Sequence, residues 1–131
     1  MTPPKLVLYA DDDADDRYIM ASMFEAHSDL ELLTFSNGKE LISFLDHVDR
    51  EVICGIILDQ NMPMMDGMET LLEIRKRQAF QSTPAIVYST NEFTGSNRRP
   101  LNFNGRFIQK PNTFQQIKAV VDQISELFRQ S

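Results

Sequence analysis

The chain has 131 residues, 42% hydrophobic and 24% charged, with 13 Lys plus Arg against 19 Asp plus Glu. That length and balance suit one globular domain with a sizeable core and exclude a disordered or fibrous chain. No apolar run approaches the ~20 residues of a membrane helix, Met-Thr-Pro-Pro-Lys is no signal peptide, and Cys54 is the only cysteine, so a cytoplasmic protein is expected. A net charge of −6 argues against a nucleic-acid-binding face. Five of the 19 carboxylates crowd into one short stretch: Asp11, Asp12, Asp13, Asp15 and Asp16.

In chain order, Leu6–Ala10 reads as a first strand and Ile19, Met20, Met23, Phe24 and Ala26 as a helical stripe. Glu31–Phe35 is a second strand, and Leu41, Ile42, Phe44 and Leu45 form a second stripe. Ile56–Leu58 and Ala85–Tyr88 are further strands, with the stripe of Met68, Leu71, Leu72 and Ile74 between them. Arg106–Ile108 is a fifth strand, followed by the stripe of Ile117, Val120, Val121, Ile124 and Leu127. Continuous apolar strands are covered on both faces, as in a parallel sheet. Asn37 with Glu40, Asp66 with Glu69, and Thr113 with Gln116 have the spacing of helix N-terminal capping pairs. Alternating strands and helices predict right-handed crossovers and an open, doubly wound α/β sheet. The segment NEFTGSNRRPLNFNG, residues 91–105, breaks the pattern, because Pro100 removes a donor and disfavours helix before it. Any helix between the fourth and fifth strands is therefore expected to be short or disordered. Residues 1–131 are expected to form one domain, its core about 5–128, with no effector domain following.

Polar residues end the strands: Asp11-Asp12 the first, Asp59 the third, Ser89 the fourth and Lys110 the fifth. In a parallel sheet all carboxyl ends share one edge, where open α/β sheets bind ligands. With the first and third strands adjacent, Asp11, Asp12 and Asp59 form a carboxylate pocket faced by a hydroxyl and an ammonium. Such a trio repels itself unless a cation neutralises it, and hard oxygen ligands suit Mg2+. A carboxylate beside a metal can also attack phosphorus. Taken singly, these residues read as a helix cap, a turn former and a loop lysine; their convergence on one edge argues for a site. A calcium loop fails, since Asp16 replaces its glycine and Ser22 its closing glutamate. Glycine-rich dinucleotide and phosphate-loop motifs are absent. His27 and His47 read as surface helix residues, Cys54 as a small hydrophobe, and Met20, Met23 and Met68 as packing.

With these residues in place, the chain resembles the receiver domain of two-component response regulators, in particular the stand-alone chemotaxis-type regulators, over about Lys5–Phe128. The most specific string is Leu58-Asp59-Gln60-Asn61-Met62-Pro63-Met64-Met65-Asp66-Gly67, beside Asp11-Asp12, Ser89 and Lys110-Pro111. The resemblance implies a flavodoxin-like strand order 2-1-3-4-5. It also implies phosphorylation of Asp59 by a histidine kinase or phosphotransfer protein, with Mg2+ held by Asp11, Asp12, Asp59 and the Asn61 main-chain carbonyl. Ser89 would hydrogen-bond the phosphoryl group, Lys110 would pair with it, and Ser89 and Phe107 would switch. A cis Lys110–Pro111 bond, an N-cap at Asp13 and another at Asp66, with Gly67 easing the turn, complete the expectation. Asp15 and Asp16 are left as capping or solvated helix-start charges. Thr90 departs from the very small residue usual after the hydroxyl, and the 91–105 segment departs from the family's fourth helix.

The expected function is a phosphorelay receiver that signals through protein contacts to an unknown downstream protein. It is expected to be a monomer or weak dimer, with no nucleic acid or membrane partner. It would not be an enzyme beyond its own phosphorylation and dephosphorylation. Two alternatives use the same residues: a Mg2+-dependent aspartyl-phosphate phosphotransferase or phosphatase, and a constitutive binding module whose switch has decayed.

Overall fold

Apolar runs bounded by polar or turn residues close into strands, and the striped segments between them into helices that cover both sheet faces. In the computed structural model, which describes residues 2–90 and 104–130, these are β1 (Lys5–Ala10), α1 (Ala14–Phe24), β2 (Leu30–Phe35), α2 (Gly38–Leu45), β3 (Ile53–Asp59), α3 (Gly67–Arg75), β4 (Ala85–Ser89), β5 (Arg106–Gln109) and α4 (Phe114–Arg129). The helix expected to be short or disordered between β4 and β5 falls in residues 91–103, outside the described residues. All strand pairs are parallel, in the order β2-β1-β3-β4-β5, so the expected doubly wound architecture and order are those observed.

Strand alternation sorts the core into two layers. Leu8 and Ala10 of β1, Leu58 of β3 and Val87 of β4 face α2 and α3, packing with Leu41, Leu71 and Ile74. Val7, Tyr9, Ile57, Ile86 and Tyr88 face α1 and α4, packing with Met20, Phe24, Val121, Ile124 and Phe128. Gly55 of β3 lets α4 settle closely, because a Cβ there would fall 2.3 Å from the Phe128 ring.

The capping signals form as expected. The Asn37 side chain accepts from Glu40 N–H, Thr113 from Gln116 N–H, and Asp66 and Glu69 form a complete capping box. Asp13 caps α1, accepting from the N–H groups of Asp15 and Asp16. Gly67, expected to ease a turn, has no positive φ; the left-handed residue of that loop is Met64, at φ 69°. Glycine is needed at 67 for close approach instead, since a Cβ would lie 2.7 Å from the Asp59 carbonyl oxygen.

Three further expectations are corrected. His47 is exposed but lies past the end of α2, in a turn where its N–H donates to the Phe44 carbonyl at 3.0 Å. His27 lies beyond the end of α1, in the turn leading to β2, where its Nε2 meets Asp122 Oδ1 at 2.9 Å and its Nδ1 meets Arg129 Nη2 at 2.8 Å. Among the described residues no peptide bond is cis, so Lys110–Pro111 is trans. Trans is the intrinsically favoured isomer even before proline, by about 0.5–1 kcal/mol, and the four-carbon lysine stem reaches the pocket from that backbone.

Candidate functional site

The strand ladders run on for one residue just where the polar side chains begin. Asp11 N–H donates to the Phe35 carbonyl (3.0 Å), Gln60 N–H to the Tyr88 carbonyl (2.9 Å) and Lys110 N–H to the Ser89 carbonyl (2.6 Å). The backbones that carry Asp11, Asp59, Ser89 and Lys110 are thus tied together at the carboxyl edge of the sheet. Asp11, Asp59 and Ser89 are 0%, 3% and 1% exposed, while Asp12 is exposed.

One carboxylate oxygen from each of Asp11, Asp12 and Asp59 lies within 4.8 Å of the others. Lys110 Nζ is the shared counter-charge, 3.2 Å from Asp11 Oδ2, 3.1 Å from Asp59 Oδ1 and 3.2 Å from Asp16 Oδ2. It also stands 5.4 Å over the Tyr88 ring, an attractive cation–π placement. Asp11 is well anchored: Oδ1 accepts from Asp13 N–H at 2.9 Å, Oδ2 accepts from the Tyr9 hydroxyl, and its carbonyl accepts from Arg17 Nη1 at 2.7 Å.

Burial, reinforced by the charge of Asp11 and only partly relieved by Lys110, pushes the Asp59 carboxyl up to about 6. Burial alone would lower Lys110, but Asp11 and Asp59 outweigh it and hold the ammonium above the ordinary lysine range. The Tyr9 phenol is pushed up by burial and by Asp11, so it is an O–H donor at any physiological pH.

A divalent cation fits this donor set. The ligands are oxygens, one ammonium is shared among three carboxylates while Asp12 stands beside them, and buried Asp59 Oδ1 meets that ammonium as an ion pair rather than an aligned hydrogen bond. Asp11, Asp12 and Asp59 would hold such an ion.

The sequence-derived residues Asp11, Asp12, Asp59, Ser89 and Lys110 therefore meet at one edge. Phe107 does not join them; half-buried on β5, it packs with the layer beneath α2 and α3. Two site residues escaped the sequence reading. Asp16, expected as a capping or solvated helix-start charge, pairs with Lys110; its spacing from buried Met20 places it on the inward stripe of α1. Tyr9, read as strand core, sits on the same strand face as Asp11 by simple alternation.

A family model described as the response regulator receiver domain matches residues 7–122. A protein-glutamate methylesterase/protein-glutamine glutaminase of Methanococcoides burtonii is 31% identical over 121 residues, 89% of this chain and 33% of that protein. Response regulator Rcp1 of Synechocystis is 30% identical over 96 residues, 68% of this chain and 64% of that one. The chain thus spans about a third of the first relative and under two thirds of the second. Among solved structures, the chemotaxis response regulator CheY4 of Vibrio cholerae superposes with a TM-score of 0.77 at 20% identity, covering 92% of this chain and 98% of that one.

Proposed function

Because this chain belongs to the response regulator receiver domain family, we propose that it is a two-component phosphorelay receiver. Asp59 takes a phosphoryl group from a histidine kinase or phosphotransfer protein in a Mg2+-dependent step. The observation that carries this reading is the buried Asp59 carboxylate, within 4.8 Å of two other carboxylates and 3.1 Å from Lys110 Nζ.

With its carboxyl at about 6, Asp59 is ionised at neutral pH and free to act as a nucleophile. Its oxygen attacks phosphorus as the bond from phosphorus to the donor's imidazole nitrogen breaks. That nitrogen keeps the electron pair and takes up a proton. Lys110, held by three carboxylates, follows the charge onto the phosphoryl oxygens, and the Ser89 hydroxyl at the end of β4 donates to them. Magnesium, when bound, neutralises charge on the transferring group. Asp11, Asp12 and the Asn61 carbonyl position that ion. Ser89 and Phe107 are the residues whose rearrangement would report phosphorylation to a downstream protein. The receiver acts by contact and catalyses only its own phosphorylation and dephosphorylation. Residues 1–131 make up one such domain, a monomer or weak dimer in the cytoplasm.

Incubation with Mg2+ and acetyl phosphate should add one phosphate by intact mass, and Asp59→Asn should abolish the gain. No gain, or the same gain in Asp59→Asn, overturns the reading. Multiple turnover of a generic phosphate ester would favour an enzyme instead.

A further inference from the structure

Tyr9 is fully buried in the layer beneath α1 and α4, yet its hydroxyl ends at the carboxylate site. β1 brings it there: alternation sets Tyr9 and Asp11 on one face, and the phenol spans the distance to Asp11 Oδ2. That oxygen also faces Lys110 Nζ at 3.2 Å. Oδ1 takes Asp13 N–H at 2.9 Å and keeps a lone pair free. If the carboxylate turned to offer both oxygens to a cation, the buried phenol would lose this partner and pay the desolvation of its hydroxyl. A partner behind a ligand that fixes the ligand's orientation is a recurrent part of metal sites.

We propose that Tyr9 is a positioning residue for the divalent cation, locking Asp11 with Oδ2 held back and Oδ1 as its single metal-facing oxygen. The proposal rests on the receiver reading above and deepens it. Tyr9 touches neither cation nor phosphoryl group; it acts through Asp11, and its loss should show in metal affinity before anything else.

Calorimetric titration of the full chain with MgCl2 tests this in wild type, Tyr9→Phe, Asp11→Asn and the double variant, with a metal-free melt of each as the fold check. Tyr9→Phe should weaken Mg2+ binding about 10-fold, the lower end of such effects. The same substitution should have little further effect in the Asp11→Asn background. Unchanged affinity in Tyr9→Phe, or an undiminished loss in the double variant, overturns the proposal. A measurement on the unmutated protein stands beside this one. Mg2+ should shift the ring resonances of labelled Tyr9 and leave those of Tyr18, exposed on α1, in place. No shift of Tyr9 also overturns it. The acetyl phosphate reaction separates the two readings. A wild type that gains phosphate and binds Mg2+ while Tyr9→Phe matches it refutes only the role of Tyr9. A wild type that does neither refutes both.

Discussion

At the residue scale the governing quantity is charge that burial cannot hide. Asp59 binds a proton more tightly folded than unfolded, its carboxyl lying at about 6 against an ordinary 3.8. The metal-free fold therefore has this group's full contribution below about pH 4 and loses it as pH rises through about 6. Asparagine is neutral throughout, so Asp59→Asn should match wild type near pH 4 and be more stable above pH 6, by about 1–3 kcal/mol. Urea melts across that range, in chelator, check it; equal stability at pH 7.5 would show that Lys110 already compensates the carboxylate. The residues found from sequence were those whose chemistry is local, an acid, a hydroxyl or an ammonium at the end of an apolar run. Tyr9 was missed because an aromatic inside a strand is ordinary core, and only the fold reveals that its oxygen meets Asp11. Asp16 was missed because it shares a stretch with solvated acids, and its partner is 94 residues away.

At the element scale the important junction is the loop from β3 to α3. Gln60 N–H anchors it to β4, Gln60 Oε1 accepts from Met68 N–H at 3.0 Å, and Gly67 N–H donates to the Gln60 carbonyl at 3.2 Å. With the cap at Asp66, these bonds press the start of α3 against Asp59, the proposed phosphoacceptor. Gly67→Ala puts a methyl 2.7 Å from the Asp59 carbonyl oxygen, a backbone atom that cannot step aside cheaply. Overpacking of this kind typically costs about 1–3 kcal/mol, so a lower denaturant midpoint and slower phosphorylation by acetyl phosphate are expected together. A loss of stability with an unchanged rate would mean that α3, and not Asp59, absorbs the shift. The caps at Asn37, Asp66 and Thr113 were legible because they depend on residues three apart. Gly67 was misread as a turn residue because a close approach between segments leaves no mark in a local string.

At the scale of the whole molecule, cation binding and global stability are one equilibrium. An ion that binds only the folded chain raises its stability by about 2.7 kcal/mol at 100 times its Kd. Mg2+ should therefore raise the melting temperature of wild type at pH 7.5. The rise should shrink toward pH 5 as protons compete for Asp59, and should be much reduced in Asp12→Asn. A rise independent of pH and retained in Asp12→Asn would place the ion elsewhere on this chain of net charge −6. The architecture itself was readable because strand and helix alternate with distinct periods. No such period marks residues 91–105, and the expectation there rested on Pro100 and the Asn and Gly around it.

The two-layer core adds a geometric constraint. Asp11, Asp59 and Lys110 gather on the side of the sheet that faces α1 and α4, continuing the line of Tyr9, Ile57 and Tyr88. Phe107 lies through the wall, against the layer of α2 and α3. Within the described residues, a push delivered in the carboxylate pocket reaches that ring by crossing the sheet, and the crossing is short. Lys110 N–H grips the Ser89 carbonyl at 2.6 Å, and Val87 is in register with Phe107 two rungs below. Among the described residues, Asp59 and Phe107 are therefore joined through the backbone pairing of β4 and β5 and not by side chains meeting on one face.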